Sequence, residues 1–186
     1  MTEIALGLAG AFTWSFLEYF IHRWLGHHRS FRPNFFAAEH TRHHSEGGYF
    51  SPAWKKVLSA LVVTPLIGAP LALVFGLSLA APYTLGLVLS YLGYEWFHNR
   101  AHVNRGFTRY GRYQRQHHFH HHFVNPKANH GVTSPLWDLV FGTFEVPQRI
   151  TVPERLQMAW LSDPSTEDVW SELQPYYALR RAKRRA

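Results

Sequence analysis

From Val57 to Phe97 the chain contains no Lys, Arg or Asp, and Glu95 is the only formal charge in the stretch. As one straight helix it would run roughly 60 Å at ~1.5 Å per residue, about twice the hydrocarbon thickness of a bilayer. It must therefore fold back. Ala80-Ala81-Pro82 is the expected turn, giving spans over about 57–79 and 83–97, with Pro65 and Pro70 able to kink the first. Residues 4–21 give a third expected span, apolar but for Thr13, Ser15 and Glu18. A secretory signal would carry basic residues ahead of its apolar run, whereas Glu3 precedes this one and His22-Arg23 follows it. An intramembrane carboxylate normally faces protein or a cavity, so Glu18 and Trp14 mark a side of this helix that is buried against other helices.

Three spans place the rest of the chain on one side of the membrane. Residues 22–56 form a polar, basic loop punctuated by Pro33 and Gly47-Gly48, with a short helix expected from Phe35 to His44. Residues 98–175 form a soluble helical cap, and 176–186 a basic tail ending in Arg180-Arg181-Ala182-Lys183-Arg184-Arg185. All 19 Lys and Arg fall in 22–56 and 98–186, which assigns both segments to the cytoplasmic side. At 186 residues, one domain spanning 1–186 is expected. The fold class is all-α, an integral membrane helical protein. The net charge of +7 and pI near 9.9 suit nucleic acid in general. Beside apolar spans, the Arg100, Arg105, Arg109, Arg112 and Arg115 series with Phe107, Tyr110 and Tyr113 is better read as snorkelling to lipid head groups, and no nucleic-acid partner is expected.

The chain has 14 histidines and no cysteine. Disulfides, thiolate-bound zinc, iron–sulfur clusters and thiol catalysis are excluded, so any metal must rest on imidazole and carboxylate. In the tract Gln116-His117-His118-Phe119-His120-His121-His122-Phe123, His118, His121 and His122 stand at i, i+3 and i+4, one face of a helix, from which three imidazoles can converge on one ion. His117, His120 and His121 have the same spacing, and spacing alone leaves that register open. His40, His43 and His44 repeat the pattern, His98 and His102 are an i, i+4 pair, and His22 and His27 an i, i+5 pair. One such pair is more often a solvated face, and one histidine-rich tract can be mere composition. Repetition of ligand spacing in four separated segments points to metal.

These motifs in this order, together with Gly131-Val132-Thr133-Ser134 and Trp137-Asp138 running on to Phe141-Gly142-Thr143, resemble the fatty acid hydroxylase/sterol desaturase superfamily over about residues 14–144, with fatty acid 2-hydroxylases most similar. The resemblance implies ten ligands for two metal ions: His22, His27, His40, His43, His44, His98, His102, His118, His121 and His122. His28, His117, His120 and His130 are left over, with His117 and His130 as candidates to contact the ligands from behind. The implied metal is iron, with zinc as an alternative occupant of purified material and O₂ as co-substrate. Unlike eukaryotic 2-hydroxylases, the sequence carries no attached haem domain of the b-type cytochrome kind, so an external donor, a reductase with a cytochrome or ferredoxin, is expected.

Ten neutral imidazoles leave the charge of two divalent ions nearly uncompensated, which calls for carboxylates that orient ring N–H groups. Glu18, Glu39, Glu95 and Asp138 are the adjacent candidates. No catalytic residue is expected beyond the metal centre. Imidazole suits iron, zinc and copper alike, but a hydrolytic zinc site usually needs only three protein ligands. Two redox metals at a membrane surface suit O₂ activation and attack on an unactivated C–H bond of a bilayer lipid, near its polar end. The variant within this class is a sterol or carotenoid hydroxylase or desaturase; the reading from another class is a membrane metal-binding or transport protein.

Overall fold

Among the described residues, three helices are long and apolar enough to cross a membrane: Thr2–His27, Ala53–Phe75 and Leu77–Val103. They dominate a mostly helical chain, in line with the sequence, and the computed structural model describes residues 1–106 and 108–181. Phe107 and the end of the expected basic tail, 182–186, lie outside the described residues. Contacts group the chain into two units, Met1–Glu18 with Ser51–Trp96, and Tyr19–Phe50 with Phe97–Ala186.

The first unit holds most of α1 (Thr2–Phe20), all of α3 (Ala53–Phe75) and the larger part of α4 (Leu77–Val103). Small residues let α1 and α4 touch backbone to backbone: a Cβ on Gly86 would lie 2.0 Å from the Gly7 carbonyl oxygen, and one on Gly10 2.0 Å from that of Tyr83. Such packing replaces the hydrophobic effect where the solvent is itself apolar. Trp14 then sets its ring against Tyr91 and Tyr94, and Glu18 is buried at 4% exposure, so the expected protein-facing side of α1 is present. Glu95, the lone charge of the apolar stretch, pairs with Lys56. On α3, by contrast, Leu58, Leu61, Leu66 and Leu73 point outward, as a lipid solvent allows.

The turn of the hairpin is not at Ala80-Ala81-Pro82. It is at Gly76, whose φ of +82° only glycine adopts at no steric cost and whose N–H caps α3 on the Ala72 carbonyl. Pro82 lies inside α4, so the spans run 53–75 and 77–103 rather than 57–79 and 83–97. The second span thus continues past residue 97 into what was expected to be the cap.

In the second unit, α1 passes into a π-helix, Ile21–His27. Asn34 then caps α2 (Phe35–Ser45) by accepting from the Ala37 N–H, 2.8 Å, and Thr108 caps α5 (Arg109–Phe123) by accepting from the Gly111 N–H, 3.0 Å. The short α6 (Leu136–Val140) follows. Strands β1 (Ile150–Pro153) and β2 (Tyr177–Arg180) pair in parallel, Ile150 opposite Tyr177, so residues expected to open a basic tail form a strand instead. One core gathers Phe119 of α5 with Ile150, Val152, Trp160, Leu161 and Tyr177, and it holds one face of α5 while the histidines occupy another. Arg115 does not reach head groups: it is 2% exposed, stacked on Trp160, and donates to the Asn104 carbonyl. Arg105 stacks on Trp170 and pairs with Glu172.

Candidate metal centre

Ten histidines of the second unit assemble into two groups of five. His22, His27, His40, His44 and His121 make site I; His43, His98, His102, His118 and His122 make site II. Within each group, one ring nitrogen from every residue lies within 4.8 Å of the others. These are the ten positions marked by the sequence, and His28, His117, His120 and His130 belong to neither group.

The local helix geometry decides which ring goes where. On α2, His40 and His44 share site I while His43 serves site II; on α5, His118 and His122 share site II while His121 serves site I. The three rings of a His-x-x-His-His box therefore do not converge on one ion as spacing suggested. Relative to residue i of an α-helix, i+4 is offset by about 40° one way and i+3 by about 60° the other, so a box feeds two adjacent points. His98 and His102, at i and i+4 on the last turns of α4, stay together in site II. His22 and His27 are five apart, which in an α-helix would separate them by about 140°. The π-helix, with its i→i+5 bonding, returns residue i+5 to the face of residue i, and both rings join site I.

The nitrogens are closely spaced. His27 Nε2 lies 2.8 Å from His40 Nε2 and 2.9 Å from His121 Nε2, with 3.0 Å between the Nε2 atoms of His40 and His44. In site II, His43 to His98 and His102 to His118 are each 3.0 Å between Nε2 atoms. Adjacent ligands of one ion, at ~2.1 Å from it and about 90° apart, stand about 3.0 Å from each other.

Protonation supports the same fit. His22 Nδ1 donates to the His130 carbonyl, His43 Nδ1 to the Tyr49 carbonyl, 2.7 Å, and His121 Nδ1 to the Ala128 carbonyl, 2.8 Å. A carbonyl only accepts, so these three rings carry their proton on Nδ1 and a bare lone pair on Nε2. His22 Nε2 and His122 Nε2 are buried with no hydrogen-bond partner. Burial first, and then neighbouring rings, hold the imidazoles of His40, His118, His121 and His122 well below the ordinary histidine range. Neutral rings whose lone pairs crowd together suit a cation held at their centre.

Of the carboxylates singled out in the sequence, Asp138 receives a histidine ring N–H, while Glu39 and Glu95 have other partners. Glu39 accepts from the Tyr49 hydroxyl, 2.7 Å, and Glu95 pairs with Lys56. Asp138, wholly buried, accepts from His117 Nε2 at 3.0 Å, from the amides of His130 and Gly131 at 2.8 Å each, and from the Thr143 hydroxyl at 2.7 Å. Burial works to raise the Asp138 pKa, but the hydrogen bonds from His117, Gly131 and Thr143 outweigh it and hold the carboxyl below its usual value. His120 turns away from both sites to Glu145, 2.8 Å. Sequence reasoning missed Glu145, Tyr49 and Ala128, because a carbonyl acceptor leaves no trace in residue identity and Glu145 lies outside every histidine motif.

Comparison with known proteins agrees with this geometry. Residues 7–143 match the family model of fatty acid hydroxylase. The ceramide very long chain fatty acid hydroxylase scs7 of Schizosaccharomyces pombe is 31% identical over 154 residues, covering 75% of this chain and 42% of that protein. The dihydroceramide fatty acyl 2-hydroxylase FAH2 of Arabidopsis thaliana is 30% identical over 141 residues, covering 72% and 58%. This chain thus spans only about half the length of these relatives. A solved structure of full-length scs7p, in which only the hydroxylase domain is visible, superposes with a TM-score of 0.60 at 26% identity over 78% of this chain and 57% of the other. With three helices apolar enough to cross a bilayer and ten histidines in two metal-sized groups, this membrane protein belongs to the fatty acid hydroxylase family.

Proposed function

We propose that the chain is an O₂-dependent hydroxylase that inserts oxygen into a C–H bond of a lipid acyl chain near its polar end. The observation that carries the reading is the pairing of two five-nitrogen groups, each with the spacing of ligands around one ion and with ring planes of the two groups in contact. The ten histidines would hold two metal ions, iron in the working enzyme, which when bound supply the O₂ chemistry. The protein's own part is narrower. Its backbone carbonyls fix ring tautomers, and its buried rings exclude water from the metals.

One relative is named a ceramide very long chain fatty acid hydroxylase, and another a dihydroceramide fatty acyl 2-hydroxylase. Placement supports an equivalent regiochemistry here: His98 and His102 occupy the last turns of an apolar helix, and His22 and His27 directly follow another. A lipid reaching such a site from the bilayer offers the carbons nearest its head group. The membrane faces these residues from the extracytoplasmic side, because every Lys and Arg lies in the segments that carry the histidines. Insertion of one oxygen atom with release of the other as water consumes two electrons and two protons, which a reductase with a cytochrome or ferredoxin would supply.

Membranes containing the chain, supplied with reductase, electron carrier and ¹⁸O₂, should convert an acyl lipid to a product carrying one ¹⁸O, located by mass spectrometry next to the carboxyl or amide. Sterol or carotenoid oxidation with no acyl product would move the assignment to that substrate class. Metal movement across the membrane with no oxygenated product would replace it with transport.

A further inference from the structure

Outside the ten histidines, the segment 128–131 supplies two carbonyls to site I and none to site II. A trans peptide points its N–H and C=O in opposite directions in one plane, so whatever grips the N–H aims the carbonyl. The unit joining His130 to Gly131 donates its N–H to Asp138 Oδ2 at 2.8 Å, while its carbonyl accepts from His22 Nδ1. The unit joining Ala128 to Asn129 repeats the arrangement: the Asn129 N–H donates to the Thr143 carbonyl at 2.9 Å, and the Ala128 carbonyl accepts from His121 Nδ1.

The first relay ends on the Asp138 carboxylate, and the second on Thr143, a residue that Asp138 holds. Asp138 Oδ1 accepts from the Thr143 hydroxyl and from the His130 amide, and the Thr143 N–H donates to the Asp138 carbonyl, 2.8 Å. Asn129 adds a side-chain clasp, accepting from the Glu145 amide at 2.8 Å and donating to the Glu145 carbonyl at 2.9 Å, from a left-handed backbone at φ 56°. Close approach is built in at Gly131, where a Cβ would meet the Ser134 carbonyl oxygen at 2.0 Å and Asp138 Oδ2 at 3.0 Å.

We infer that Asp138 is a positioning residue for site I alone, acting through two peptide units that fix the tautomer and ring angle of His22 and His121. In site II, His43 has a carbonyl of this kind from Tyr49, outside the Asp138 network. Charge on Asp138 polarises the His130–Gly131 peptide, which strengthens the His22 ring N–H donation and raises the basicity of its opposite nitrogen, while the grip of Asp138 on Thr143 holds in place the carbonyl that aims the Ala128–Asn129 peptide at His121. The inference rests on the two-metal reading above.

The test uses the full chain in detergent micelles loaded with Co²⁺, following chelator-driven release by visible absorption and bound metal by elemental analysis. Asp138→Asn should release one of two ions about tenfold faster, the scale expected for loss of a group behind a ligand. Its partner ion should leave at the wild-type rate. The identity of the fast ion follows from double variants: in a His98→Ala background, which leaves site I, Asp138→Asn should strip the remaining ion, and in a His27→Ala background, which leaves site II, it should not. Thr143→Val, which removes the hydroxyl that donates to Asp138 Oδ1, should speed the same phase by a smaller factor and decides the matter if Asp138→Asn fails to fold. Equal acceleration of both ions, or of neither, in folded variants would overturn the inference. Wild-type protein binding fewer than two Co²⁺ would instead overturn the two-metal reading, so the failures are distinguishable.

Discussion

The imidazole rings of His44 and His122 stack face to face with centroids 4.0 Å apart and planes within 6°, although one belongs to site I and the other to site II. Each ring thus braces a neighbour that serves the other ion. Truncating His44 should remove a site I ligand and also loosen His122, by the ~0.5–1.5 kcal/mol such a ring contact is worth. His44→Ala should therefore speed chelator release from site II about fivefold. His27→Ala, which removes a site I ligand with no stacked partner in site II, should leave that rate unchanged. Identical site II kinetics in the two variants would show that the stack carries no coupling.

The two registers that spacing left open in the 117–122 tract separate by substitution. His118 is buried at 1% exposure with its Nε2 against His102, whereas His120 pairs with the half-exposed Glu145. His118→Ala should lose the site II ion and abolish turnover. His120→Ala should retain both ions and cost about 1 kcal/mol of stability, the scale of one hydrogen bond at a partly solvated pair. Metal analysis of the two variants decides; loss in His120→Ala with retention in His118→Ala would mean the other register binds.

How much of this was legible depends on which force sets the feature. The histidine spacing and the apolar stretch are local, and they mark the four histidine segments and three long helices directly, while the register within 117–122 came from the family resemblance. That His43 and His121 cross to the opposite site follows from the 100° between i+3 and i+4, which residue order contains but which a one-ion reading of the box overlooks. The π-helix at Ile21–His27 has a trace in the i, i+5 pair, yet nothing in the composition of that segment demands it. The hairpin turn was misplaced because Pro82 is a strong breaker in water, while in an apolar helix pair a single glycine at positive φ, Gly76, suffices. The pairing of Ile150 with Tyr177 joins four-residue strands far apart in sequence, too short for periodicity to register.

Close packing of α1 on α4 gives a stability test within one helix. Gly86→Ala places a methyl group against the Gly7 backbone, where no side chain can yield, and should lower the melting temperature in detergent by about 5 °C. Gly93→Ala meets nothing within 4 Å and replaces the weaker helix former, so the melt should stay or rise slightly. A Gly86→Ala variant as stable as Gly93→Ala would refute the close approach.

Metal-free protein should be sensitive to acid. The buried His40, His118, His121 and His122 have pKa values lowered in the folded state by burial, so below about pH 6.5 the unfolded chain binds protons that the folded chain refuses. Their stabilising contribution is complete above that pH and is lost as pH falls, at up to about 1.4 kcal/mol per pH unit for each histidine. Thermal melts of apoprotein should fall steeply between pH 7 and pH 5. A flat profile across that window would show that these rings are not buried neutral.

The most direct measurement is the metal content of the fully folded, purified wild-type chain, with protein quantified by amino-acid analysis and metals by mass spectrometry. Two five-nitrogen sites require two ions per chain, both lost in a protein lacking His40 and His43 together, one lost when either is replaced alone. One ion or none in folded wild-type protein, or retention of both after His40 and His43 are replaced together, would contradict the paired centre on which the hydroxylase chemistry depends.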